Sequence, residues 1–247
     1  MTEPKPSAAA IAALAPRGRL RAGINLSNFL LVTHREEDGT PVGVSPDMAA
    51  ALASNLGVDV DMVTFPHPGL LADAATEDNW DIGNIGADPA RAEHIDFSTP
   101  YAEIEATYLV RAASEFTTIG DVDRPGVTIS CKARAAYALW LERNVEHATL
   151  LQTETIDESI EAFTDGRADV VGCLRPRLLD ELEQQPDVRL LDGRFMRVLQ
   201  AMGTPAGRDP NGIAHLEAFV VHAIESGMVA ASIERHEVAG RLGVATR

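Results

Sequence analysis

The sequence predicts an α/β protein of two lobes, with parallel-type sheets carrying helices on both faces. Three observations predict it. Strand-type and helix-type segments alternate almost without interruption along the chain. At 247 residues, 45% of them hydrophobic, the chain can bury a large core and stands at the size where one core divides into two. Third, the apolar strand over 81–85 runs directly into a polar turn that presents Arg91.

The elements follow in order. Residues 19–26 read as the first strand, and Gly39 supplies the turn of a hairpin between 29–32 and 41–44. Ser45, Pro46 and Asp47 open a helix through Leu56, with Pro46 at the first helical position and Gly57 just past the end. A strand over 58–65, a helix near 69–76 and the strand over 81–85 come next, and 106–110 is a strand leaving the first lobe. The turn-rich segment 120–126 opens a second series: strand 127–131, helix 135–144, strand 149–152, helix 156–165, strand 168–173, helix 177–184 and strand 188–191. Residues 197–203 make the return crossing, and the amphipathic helix over 213–225 packs back on the first lobe.

Composition excludes several classes. With 21 basic against 37 acidic side chains the formal charge is −16, so nucleic acid and anionic membranes are unsuited partners and the acidity serves solubility. No run of eighteen apolar residues exists, so no transmembrane segment is expected. The start, Met-Thr-Glu-Pro-Lys-Pro followed by a short alanine-rich stretch, lacks a basic region before its apolar part. That makes a poor secretory signal, so a cytoplasmic location is expected, with the periplasm as the alternative had a signal been removed. Cys131 and Cys173 each follow a β-type run and form no disulfide framework; they read as small buried hydrophobes or as neighbours at the cleft. The seven histidines are scattered without metal spacing, so neither a metal nor a cofactor is expected.

Within residues 80–101, Arg91 is followed by Asp96, Phe97, Ser98, Pro100 and Tyr101. This order resembles the extracytoplasmic solute-binding proteins of the polar amino-acid type, family 3, in which an arginine gripping the ligand carboxylate precedes Asp-Phe-Ser-x-Pro-Tyr. Leu20-Arg-Ala-Gly, Gly43-Val-Ser-Pro-Asp-Met and Asp121-Val-Asp-Arg-Pro-Gly-Val extend the likeness from residue 20 to about 233. It implies a type II periplasmic-binding-protein-like fold with two hinge crossings. The first lobe would comprise 17–109 and 204–247 and the second 110–203, after an N-terminal extension over 1–16. It also implies a ligand held in the cleft by hinge closure, and an ABC transporter permease as partner.

In such sheets ligands lie outside the carboxyl ends of the strands. The ligand-binding candidates are therefore Asn25, Ser27, Asn28, Arg91 and Glu105 from the first lobe, Lys132, Arg134 and Arg175 from the second, and Gln200 on the return crossing. Arg91 reads as a bidentate carboxylate hook, or as a solvated turn residue beside Asp88 and Glu93. The family's Thr-x-Thr before that arginine is replaced by Gly86-Ala-Asp-Pro-Ala, and the aromatic near Asn28 by an amide. Lys132 and Arg134 stand where the family offers neutral backbone amides; they form a charged clamp or a solvated first helical turn. Arg175 stands where the family places an aspartate that pairs with the ligand ammonium. Facing the cleft it asks for an anion; turned outward it would pair with an acid such as Asp180.

These residues give a non-catalytic binder of a small carboxylate solute, with no catalytic residue assigned. The alternative is a dehydratase of the prephenate or arogenate kind on the same scaffold, with Glu105 as the cleft acid. No nucleophile and base pair supports an enzyme. A ligand-sensing regulator would need DNA-binding helices, which the sequence does not show.

Overall fold

Alanine-rich sequence behind a serine makes the first helix. In the computed structural model, which describes residues 2–246, Ser7 Oγ accepts from the Ala10 N–H at 3.1 Å and caps α1 (Ala8–Leu14). The extended β1 (Arg19–Asn25) follows. The expected hairpin forms, but from β2 (His34–Arg35) and β3 (Pro41–Val42) rather than from 29–32. Residues 28–32 turn instead, because the Asn28 carbonyl accepts from both the Leu31 and Val32 N–H groups, and Leu30, Leu31 and Val32 are buried.

Helix α2 (Val44–Leu56) begins one residue before Ser45, so Pro46 is the third helical residue and not the first. The Ser45 N–H donates to the Leu31 carbonyl at 3.1 Å, and its hydroxyl meets Tyr101 Oη at 2.9 Å. A tertiary contact thus does the work that a side-chain cap would do. Gly57 ends the helix in the left-handed conformation, as the sequence predicts. Then come β4 (Asp59–Phe65), α3 (Pro68–Asp73), β5 (Ile82–Gly86), the short β6 (Ile95–Phe97) and β7 (Ala102–Arg111). The second series is β8 (Thr128–Lys132), α4 (Ala136–Asn144), β9 (Thr149–Thr153), α5 (Ile156–Thr164), β10 (Val170–Leu174), α6 (Arg175–Gln184) and β11 (Val188–Leu190). The chain closes with β12 (Met196–Pro205), α7 (Pro210–Glu225), α8 (Met228–Arg235) and β13 (Gly243–Val244).

Two units result. The first holds the described residues up to Glu103 and from Leu199 onward; the second is Ile104–Val198. In the first, β4, β1 and β5 run parallel, and β12 is antiparallel to β5 with β6 on its other part. One face of β5 packs Ile85 with Leu71, Ala74, Ala75, Trp80 and Ile95, and the Trp80 indole N–H donates to the Leu71 carbonyl at 3.0 Å. In the second unit β9, β8 and β10 are parallel and β10 is antiparallel to β7. The alternation of the sequence therefore delivers the α/β class. Among the described residues no single helix is long and apolar enough to cross a membrane.

Gly203 shows how tightly the first unit is packed. A Cβ there would lie 2.4 Å from Ile95 Cγ2, between β12 and β6. Gly203→Ala is expected to cost about 1 to 3 kcal/mol through overpacking. Urea unfolding should show the midpoint falling at constant m; an unchanged midpoint would mean that the strand pair yields freely.

Candidate functional site

The strand ends carry the polar residues. β1 ends at Asn25, whose Oδ1 accepts from the Ser27 N–H at 3.1 Å and Ser27 Oγ at 2.9 Å, so these two side chains hold each other. Asn28 is 7% exposed, and its Oδ1 accepts from the Leu30 N–H at 3.2 Å. It shapes the turn after β1.

β5 ends at Gly86, and the turn beyond it is tied by the Asp88 carbonyl, which accepts from the Arg91 and Ala92 N–H groups. Arg91 is 6% exposed and its Nη1 donates to the Gly86 carbonyl at 2.6 Å. A solvated turn residue does not look like this. Gly86 is also the register partner of Gln200 on β12, so the structure brings Arg91 and the buried Gln200 to one strand end. The Gln200 carbonyl accepts from the Tyr101 N–H at 2.9 Å.

In the second unit Glu105 and Arg175 meet. Arg175 Nε donates to Glu105 Oε2 at 2.8 Å, Arg194 Nη1 donates to Glu105 Oε1 at 2.8 Å, and Arg175 also bonds the Gly193 carbonyl. Glu105 thus lies in the same unit as the arginines, and each of its oxygens accepts from one of them. Arg175 is the first residue of α6.

Lys132 ends β8 and is 8% exposed, whereas Arg134 is exposed and adopts φ +60°, a left-handed conformation uncommon outside glycine. Burial pushes the Lys132 amine below the ordinary lysine value. Cys131 and Cys173 are free and buried. Burial raises the Cys131 thiol to about 12 and the Cys173 thiol to about 11, where neither is a nucleophile at neutral pH. Cys173 Sγ donates to Tyr137 Oη at 3.6 Å.

Three residues escaped the sequence reading. Arg194 is one of many surface arginines and nothing local marks it as the partner of Glu105. Tyr137 carried no signal beyond its place at the start of a helix. Asn84 did carry one, a lone amide in the apolar run Ile82-Gly-Asn-Ile-Gly: it is 1% exposed on central β5, and neither amide atom has a hydrogen-bond partner.

Residues 20–230 match the bacterial extracellular solute-binding proteins, family 3. The chain belongs to this family. Solved structures agree on the fold. A mutant of ArgBP from T. maritima is 20% identical, with a TM-score of 0.72, covering 92% of this chain and 99% of that one. The ancestral amino acid-binding protein AncCDT-1, a precursor of cyclohexadienyl dehydratase, is 22% identical with a TM-score of 0.72 over 91% of this chain and 98% of that one. The substrate-binding protein of an amino acid ABC transporter is 18% identical with a TM-score of 0.70, over 88% and 98%. What they share with this family member is the two-lobe type II binding-protein fold. No curated protein matches the chain by sequence.

Proposed function

We propose that this solute-binding protein takes a small carboxylate anion and performs no catalysis. The observation that carries the reading is Arg91, a buried guanidinium fixed on the Gly86 carbonyl at the carboxyl end of β5. Arginine stays protonated and offers a planar fork suited to a carboxylate, and a fork already oriented loses little freedom on binding. The second unit supports the anionic preference. In the cluster of Glu105, Arg175 and Arg194 two guanidinium groups share one carboxylate, so the cluster carries a net positive charge, which favours an anion over an ammonium. The residues proposed to contact the ligand are Arg91, Asn25, Ser27, Asn28 and Gln200 in the first unit and, in the second, Lys132, Arg134 and Arg175, with Glu105 as the acid that balances the arginines.

A transporter permease is the proposed partner, and the family's extracellular description accords with a periplasmic location. The dehydratase alternative draws on the likeness to AncCDT-1. Against it, Glu105 is bound on both oxygens, the arrangement of a structural ion pair and not of an acid aimed at a substrate.

A thermal-shift screen tests the reading. Dicarboxylates and 2-oxo acids should stabilise the protein, by about 2.7 kcal/mol at a hundred times Kd. Arginine, lysine and leucine should not. Stabilisation by those amino acids and by none of the acids would overturn the anionic preference, and product formed from prephenate would overturn the absence of catalysis.

A further inference from the structure

Lysine is almost absent from this chain. Of 21 basic residues only Lys5 and Lys132 are lysines. Arginine makes the close ion pairs of Asp59, Asp61, Asp78, Asp81 and Glu105. Lys5 is exposed, whereas Lys132 is 8% exposed.

The surroundings of Lys132 are unusual for a cation. It is the last residue of β8, paired in register with Thr153 of β9. On the other side Val171 of β10 stands opposite Ser130, and Cys173, two residues further along β10, lies close enough to Lys132 for the two to interact electrostatically. Cys173 in turn donates to the phenol of Tyr137, which is 3% exposed. The near groups are therefore a thiol and a phenol held neutral by burial. Among the described residues no carboxylate pairs with the Lys132 amine. A buried ammonium without a counter-ion is costly, and the group escapes that cost by giving up its proton.

An anion clamp would be served by arginine, which this sequence uses everywhere else. A lone lysine at a strand end, buried and without an acid, offers what arginine cannot: a neutral, nucleophilic amine. We propose that Lys132 captures the carbonyl group of a 2-oxo acid as a reversible imine, a refinement that rests on the carboxylate reading above. The neutral amine adds to the ketone carbon, forming the C–N bond, while the carbonyl oxygen takes up a proton. The carbinolamine then expels that oxygen as water as nitrogen loses its second proton, leaving C=N. One water is released and no oxidant or reductant enters. Hydrolysis by the reverse path returns the ligand unchanged, as a binding protein requires.

The test uses the full chain with pyruvate or 2-oxoglutarate and sodium cyanoborohydride, which reduces an imine to a stable secondary amine, followed by intact mass and peptide mapping. The expected result is a single adduct on Lys132, with Lys5 as the internal control for an exposed amine, and loss of that adduct in Lys132→Arg. Succinate, which has no ketone, is run beside them in a thermal shift. If succinate and the 2-oxo acids stabilise the protein but Lys132 carries no adduct, the imine is overturned and the carboxylate site stands. Equal labelling of Lys5 and Lys132 overturns the imine as well. If no acid stabilises the protein and no adduct forms, both readings fall.

Discussion

Arg91→Ala is expected to abolish carboxylate binding in a chain that still folds. The guanidinium is buried at the end of β5 and anchored to the Gly86 carbonyl at 2.6 Å, so its truncation removes the charge-assisted contact at the site. Loss of such a pair costs about 2 to 5 kcal/mol, a factor of roughly thirty to several thousand in Kd. The turn itself should survive, because the Asp88 carbonyl holds the Arg91 and Ala92 N–H groups through backbone bonds that alanine keeps. Calorimetry with the solute that gives the largest thermal shift, beside a circular-dichroism melt, separates the two effects. Wild-type affinity in a folded Arg91→Ala protein would remove this arginine from the site.

The βα series was legible because most of its strands are short, largely apolar runs closed by glycine, proline or a charge, and such runs alternate with helix-period segments. Element boundaries inside it were set by local chemistry that the sequence displays, such as Gly57 past the end of α2. The failures share a cause. Residues 29–32 look like a strand in composition, yet Asn28 winds them into a turn in which Leu30, Leu31 and Val32 are all buried, a tertiary outcome that periodicity does not encode. Pro46 suggested a first helical position, but the Leu31 carbonyl satisfies Ser45 and lets the helix begin earlier. The site divides in the same way. Arg91 announces itself by position after a strand, while the pairing of Arg175 with Glu105 spans seventy positions and no local spacing reveals it. Asp180, close in sequence, was the partner that local reasoning could offer. Lys132 stood out only as one of two cations; its burial and its lack of an acid belong to the packing of three strands.

Asp81→Ala should produce the largest loss of stability. Asp81 is 0% exposed at the start of β5, and its Oδ2 accepts from the Arg21 N–H and Nε, both at 3.0 Å. Its Oδ1 accepts from Arg21 Nη2 at 2.8 Å and Arg208 Nη1 at 3.0 Å. The carboxylate thereby ties β1 to the segment leading into α7, and Arg208 also reaches the Ala13 carbonyl at 3.1 Å and so α1. Alanine would leave two guanidinium groups with side-chain exposures of 12% and 19% whose remaining acid, among the described residues, is Asp78, itself 62% exposed. Breaking a buried pair by removing one partner costs about 3 to 5 kcal/mol, because the surviving charge stays desolvated. That is a large share of the 5 to 15 kcal/mol typical of a folded domain. Asp59→Ala is the matched control: Asp59 pairs with Arg19 at 2.7 Å but is 77% exposed, where an ion pair contributes about 0 to 1 kcal/mol. Urea midpoints at constant m should separate the two variants widely, with Asp59→Ala near wild type. If Asp81→Ala cost no more than Asp59→Ala, water would have to reach Arg21 and Arg208 as freely as it reaches Arg19. The network would then hold neither α1 nor β1 to the start of β5.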